Sequence, residues 1–241
     1  AGLYLAVIAP MGLSFGRITG CISDTRVNNL FLESGRQWLT GNRDSFWDAP
    51  FFYPQPAAMA YSDNHLGTLP AYALFRALGL DRQTACQAWI VSMFALNFAA
   101  CFCVLLMLRL PPSAAAAGAY VFTFSLPLLA RIEHIQLLPR FAVPFAFYFL
   151  WRWLDTRGAK YLFAACIFSV WQWYCGIYTG YFLALCLLLF FLAHAAAGPR
   201  KTLSALAPAG GVRALATPAA LAVAGLSLLP LLLPYVQVSG A

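Results

Sequence analysis

The sequence predicts an all-α membrane protein, a polytopic transmembrane helical bundle of about seven spans with two amphipathic juxtamembrane helices in its first outer loop. Of the 241 residues, 62% are apolar and 10% charged, against about a quarter charged in a soluble domain. Mean hydropathy is +0.73. Apolar stretches of about 20 residues recur between short polar breaks, each long enough to cross about 30 Å of hydrocarbon as a helix whose backbone satisfies itself.

In chain order the predicted spans are 2–16, 84–108, 113–130, 137–154, 160–175, 178–196 and 213–236, forming one domain over 1–241. The first, from Gly2 to Gly16, lacks the small-residue cleavage site of a secretory leader and reads as a truncated span. Ala at the first position and an apolar stretch that reaches almost to the last residue predict a fragment. Three turns, Arg109-Leu-Pro-Pro, Asp155-Thr-Arg-Gly and Gly198-Pro-Arg-Lys, are built from residues that stop or redirect a helix.

Around those turns lie Arg109, Arg152, Arg157, Lys160, Arg200, Lys201 and Arg213, whereas the short loops opposite hold Arg131 and Arg140. The positive-inside rule makes the first set cytoplasmic, which places the loop 17–83 outside a bacterial inner (plasma) membrane. Asp24, Glu33, Asp44, Asp48, Asp63, Asp81 and Glu133 then all face outward, with His65 and His134, and only Asp155 faces the cytoplasm. The net charge of +7 is scattered singly between spans, which excludes a nucleic-acid footprint. Cys21, Cys86, Cys101, Cys103, Cys166, Cys175 and Cys186 show no metal or redox spacing, and most lie in apolar stretches as small hydrophobes.

Within the first outer loop, Val27, Leu30, Phe31, Trp38 and Leu39 recur at helical spacing, opened by Ser23/Asp24 as N-cap candidates and closed by Gly41. This helix is expected on the membrane surface. A second runs from Leu66 to Leu80 with Leu69, Tyr72, Ala73 and Arg76 on its face, and ends at Gly79. Between them, Phe46-Trp-Asp-Ala-Pro-Phe-Phe-Tyr-Pro-Gln-Pro is aromatic and proline-rich. Pro50, Pro54 and Pro56 make it an ordered, extended connection suited to the membrane interface.

That order of elements resembles the polytopic GT-C-fold glycosyltransferases. It comprises an acidic residue soon after span 1, an amphipathic helix ending in Gly (Asp24 to Gly41), and an aromatic Tyr-Pro segment. A helix of the type Leu-Pro-x-Tyr-x-Leu-Phe-x-x-x-Gly-Leu and a long second span follow. The resemblance covers about residues 1–155, with a weaker echo in Glu133-His-Ile-Gln136 and Arg140-Phe-Ala-Val-Pro144. It implies a lipid-phosphate-linked sugar donor and a catalytic acid in the first outer loop near the membrane surface. Asp24 falls at that position, and Asp63 with His65 near the second polar cluster. Where several such enzymes carry paired acids, this chain reads Asp24-Thr25-Arg26. A divalent metal is therefore unsupported by a DxD pair, no metal ligand is assigned, and the cofactor is unknown.

Sugar transfer from a lipid phosphate needs a base for the acceptor proton and donors for the departing phosphate. A carboxylate at the water–lipid boundary suits the first task, because partial desolvation raises its pKa toward operating pH. Asp24 is the candidate base, with helix capping as the alternative reading. Arg131 and Arg140, beside His134 and Gln136, are the candidate phosphate donors, since a guanidinium meets phosphate oxygens bidentately. Their alternative is anchoring at lipid headgroups, and Arg26 is a third candidate. Asp63 and His65 are candidate sugar-binding residues or turn formers, and Glu33 reads as a solvated helix face. Trp171-Gln-Trp-Tyr174 and Tyr178 read as a sugar platform or an aromatic belt.

A transporter or lipid flippase is the competing reading, with a non-catalytic assembly protein as the third. A transport pathway places ionisable groups at mid-membrane, whereas the centres of these spans are Ala, Leu, Phe and Val, with Pro127, Pro144 and Pro230. The expected partners are a lipid-linked sugar donor and membrane lipids, with no nucleic acid; sugar, acceptor and oligomeric state are left open. The chain has no Gly-rich phosphate loop, Gly-x-Ser-x-Gly elbow or His-Glu-x-x-His helix.

Overall fold

A computed structural model of the chain describes residues 2–12, 15–17, 24–200, 202 and 212–240. Cys21, Ser23 and Lys201 lie outside them. All regular structure among the described residues is helical. A π-helical turn Tyr4–Ile8 runs into α1 (Ala9–Met11), and Gly12, at φ +76°, ends it. The long connection carries α2 (Asp24–Leu39) and α3 (Leu69–Ala77). There follow α4 (Arg82–Met107), α5 (Pro112–Phe124), α6 (Leu126–Leu129), α7 (Ala142–Thr156), α8 (Ala159–Cys175), α9 (Ile177–Ala197) and α10 (Val212–Ser239).

Three of these, α4, α9 and the Leu215–Ser239 part of α10, are long and apolar enough to cross a membrane. Only 11% of the α9 and α10 windows is buried inside the protein. Leu185, Leu188, Leu189, Leu192, Leu226, Leu229 and Leu233 are all exposed, an apolar surface far beyond what a water-facing monomer presents.

Three expected spans have different limits, the first because its helix ends at Met11 and not at 16. The stretch 113–130 is helical only to Phe124, because Pro127 lacks a backbone N–H and fits only the first turn of a new helix, α6. In place of a span beginning at 137, a 3₁₀ turn Ile135–Leu137 and Pro139–Arg140 precede α7, which starts at Ala142.

Side-chain ties hold several elements at one common level. Asn97, in the middle of α4, donates to the Leu138 carbonyl at 2.8 Å and accepts the Arg140 amide at 2.9 Å. Gln172 donates to the Pro139 carbonyl at 2.8 Å, and the Tyr174 hydroxyl to the Ser227 carbonyl at 2.7 Å. Phe94 stacks on Phe124 with centroids 5.7 Å apart. On one side of this level run α5, α7 and α8, of 13, 15 and 17 residues, or about 20–26 Å at 1.5 Å per residue. On the other, the first half of α4 and the second half of α10 carry a cap built from residues 24–81. Tyr235 of α10 donates to the Ser62 carbonyl there at 2.9 Å, and its ring meets Trp47 edge-on.

The main core lies where cap and bundle join, around Trp89, Tyr72, Phe94, Met93, Leu32 and Ile135. Each such side chain contributes about 1.5–3 kcal/mol where it leaves water. The α2 helix buries Thr25, Asn28, Phe31, Leu32 and Gly35 against the rest of the protein and leaves Val27, Trp38 and Leu39 exposed. Gly35 makes this approach possible, since a Cβ there would stand 3.1 Å from Leu69 and 3.3 Å from Phe46.

Candidate functional site

Asp24 opens α2, and its Oδ2 lies 2.7 Å from Nδ1 of His134, in the turn before α7. The two side chains are 40% and 29% exposed, so the pair is open to a solute. The second ring nitrogen, Nε2, also faces a carboxylate. Glu133 Oε1 stands 3.5 Å from that Nε2, and the Glu133 carbonyl accepts from the Thr25 hydroxyl at 3.2 Å.

Behind this pair lies a buried chain of amides. Asn28, one turn along α2 and 3% exposed, donates through Nδ2 to the Asp24 carbonyl and to Gln136 Oε1, both at 2.8 Å. Its Oδ1 lies 2.7 Å from His65 Nε2. Because the amide nitrogen is committed elsewhere, His65 must donate from Nε2, which leaves Nδ1 as an acceptor. That Nδ1 is buried and finds no partner among the described residues. Burial holds the His65 pKa down at about 3, so the ring is neutral. It packs edge-on against Trp89 at 5.5 Å.

Four of the predicted residues therefore meet: Asp24, His65, His134 and Gln136. Asp63 faces another way. Its Oδ1 accepts the Ile177 amide at 2.6 Å and so caps α9, 114 residues distant in sequence. Burial raises its pKa to about 6 in spite of the amides of Ile177 and Tyr178. The rest of its turn is seated on the α8–α9 joint. Asn64 donates to the Trp173 carbonyl, Gly67 to that of Tyr174 at 2.5 Å, and Trp171 Nε1 to the Gly67 carbonyl at 3.0 Å. Trp171 and Tyr174 thus pin the cap, while Tyr178 is exposed.

The two arginines stay apart from the network. Arg131 is exposed, at the head of the turn whose carbonyl accepts the His134 amide at 2.9 Å. Arg140 lies over the Phe122 ring, 5.5 Å from its centroid. Among the described residues no three of His, Cys, Asp and Glu are grouped as metal ligands.

Asn28, the hub, carries no signal in the sequence, since an Asn inside a helix marks nothing by itself. Glu33 differs from the solvated face expected of it. It is 7% exposed and bonded by Arg36 at 2.6 Å, Tyr72 at 2.8 Å and Arg76 at 2.9 Å, tying α2 to α3. Burial alone would raise its pKa, but these three donors outweigh it and bring the value to about 2. The spacing of Arg36 three residues after Glu33 was visible; the tie to Tyr72 and Arg76 is tertiary.

No family model, curated protein or solved structure matches the chain.

Proposed function

We propose that the chain is a GT-C-like membrane glycosyltransferase that moves a sugar from a polyprenyl-phosphate donor to an acceptor hydroxyl at the outer surface of a bacterial plasma membrane. The observation that carries the reading is the 2.7 Å contact of Asp24 with His134. It joins two connections that the charge pattern assigns to the same outer side. In this reading the chain crosses about seven times, with α5, α7 and α8 filling the hydrocarbon and the cap above it.

The acceptor oxygen attacks the anomeric carbon as the bond from that carbon to the phosphate oxygen breaks, and the phosphate departs with the electron pair. Asp24 takes the acceptor proton, with His134 holding the carboxylate in place. Arg131, three residues before His134, is the cation offered to the departing phosphate. Room for the donor's lipid chain lies in an apolar groove of about 470 Å³ that begins at Gly67 and Trp171 and follows Met93, Ala100, Phe145 and Phe168.

The test is transfer of labelled sugar from polyprenyl-phosphate donors in membranes carrying the protein. Asp24→Asn should lower the rate by about 10²–10⁴-fold, the usual worth of a positioned general base. A variant as active as the parent removes Asp24 from the chemistry, and a parent that moves a lipid or solute across vesicles without any glycosyl product replaces the transferase with a transporter.

A further inference from the structure

Arg140 stands at the start of α7 with its amide fixed to Asn97 Oδ1. Its Nε and Nη2 are buried, and among the described residues neither reaches an acceptor and no carboxylate pairs with the side chain. The residue as a whole is part-exposed, and burying two of its guanidinium nitrogens without an acceptor or counter-ion is unfavourable. The face of Phe122 offsets part of that cost, but a ring satisfies no N–H. The missing partner is an anion with two oxygens able to meet the planar fork.

The same Phe122 ring belongs to a second apolar groove of about 470 Å³, between α4, α5, α7 and α9. Val143 and Pro144 line its end next to Arg140, and Phe147, Trp151 and Leu108 continue it away from the cap. Leu108 and Trp151 are exposed, so the trough opens sideways on the face that carries no cap. None of Asp24, His134, Asn28, Gln136 and His65 lines it. A cation without a carboxylate partner, set over the same Phe122 ring that lines an open apolar trough, has the polarity of a lipid with a charged head.

We propose that this flank holds one anionic phospholipid, its phosphodiester on the Arg140 guanidinium and one acyl chain in the Phe122–Trp151 trough. The site is separate from the Asp24–His134 pair and stands whether or not the chain transfers sugar. Phosphatidylglycerol is bound in preference to phosphatidylcholine, because the unpaired cation is neutralised only by a lipid of net negative charge.

Native mass spectrometry of the purified chain, titrated with phosphatidylglycerol or phosphatidylcholine, counts the bound lipid. The parent should retain one phosphatidylglycerol, with phosphatidylcholine weaker by roughly tenfold or more. Arg140→Gln should bring phosphatidylglycerol down to the phosphatidylcholine level, and Val143→Trp, which fills the trough and leaves the guanidinium in place, should lose the lipid as well. Should Arg140→Gln fail to fold, Val143→Trp decides alone. The proposal is overturned by equal phosphatidylglycerol occupancy in parent and variants, by equal retention of the two lipids, by full displacement with inorganic phosphate, or by displacement with polyprenyl phosphate at equal concentration.

Discussion

Asn28 satisfies His65, Gln136 and the Asp24 carbonyl with one side-chain amide. Truncating it leaves a buried imidazole N–H without an acceptor, and stranding a buried polar group costs about 1–3 kcal/mol. Asn28→Ala should lower stability by that amount, read by thermal or denaturant unfolding in detergent. Two carboxyls respond to acid in opposite senses. Glu33, held at about 2 against an ordinary 4.5, stabilises the fold above pH 4.5 and loses that contribution as pH falls toward 2. Asp63, raised to about 6 from 3.8, binds its proton more tightly when folded. Its contribution is complete below pH 3.8 and is lost as pH rises through 6, by about 3 kcal/mol. Asp63→Asn keeps the oxygen that caps α9, so unfolding of this variant should lack that part of the pH dependence between 4 and 6, and an unchanged profile would remove Asp63 as its source. That Asp24, His65, His134 and Gln136 belong to connections on one side of the apolar stretches was legible in the sequence from the charge pattern. The separation of Asp63 from them was not, since its partner is an amide at the far end of the chain.

At the scale of elements, the seating of the cap depends on close backbone approach at Gly67. A Cβ there would meet the Cys175 sulfur at 2.8 Å and the Cys175 nitrogen and Tyr174 carbonyl carbon at 2.9 Å, two of them backbone atoms that cannot rotate aside. Gly67→Ala should therefore cost about 1–3 kcal/mol, as overpacking does. Gly225→Ala, in open space on α10, should cost nothing and serves as the control in the same unfolding series. The positions of most helices follow from signals local to the chain: Asp81 accepts the amides of Gln83 and Thr84 at the start of α4, and Arg157 ends α7 at φ +58°. The face that α2 buries does not. Apolar spacing marks Val27 and Trp38 as one face, whereas the bonds of Thr25, Asn28 and Glu33 to distant residues turn the polar side toward the protein.

For the molecule as a whole, the apolar exposure of α9 and α10 requires lipid or another apolar partner around them. The hydrogen bonds of Asn97, Arg140, Gln172 and Tyr174 mark the level at which the cap of residues 24–81 meets the bundle. Composition alone made the membrane class legible. The shorter helices were harder to delimit, because Pro127 and the turn at Pro139–Arg140 interrupt stretches that hydropathy runs together. Which side the cap occupies rests on the arginines and lysines of the opposite turns, and the proposed chemistry at Asp24 and His134 depends on it. Labelling with a membrane-impermeant maleimide reads that sidedness directly, with single cysteines placed at exposed Asn42 in the cap and exposed Asp155 beyond α7, against the parent as background. In intact cells with a permeable outer envelope, Asn42→Cys should label at once and Asp155→Cys only after the membrane is opened; the reverse order would put the cap in the cytoplasm and contradict the account.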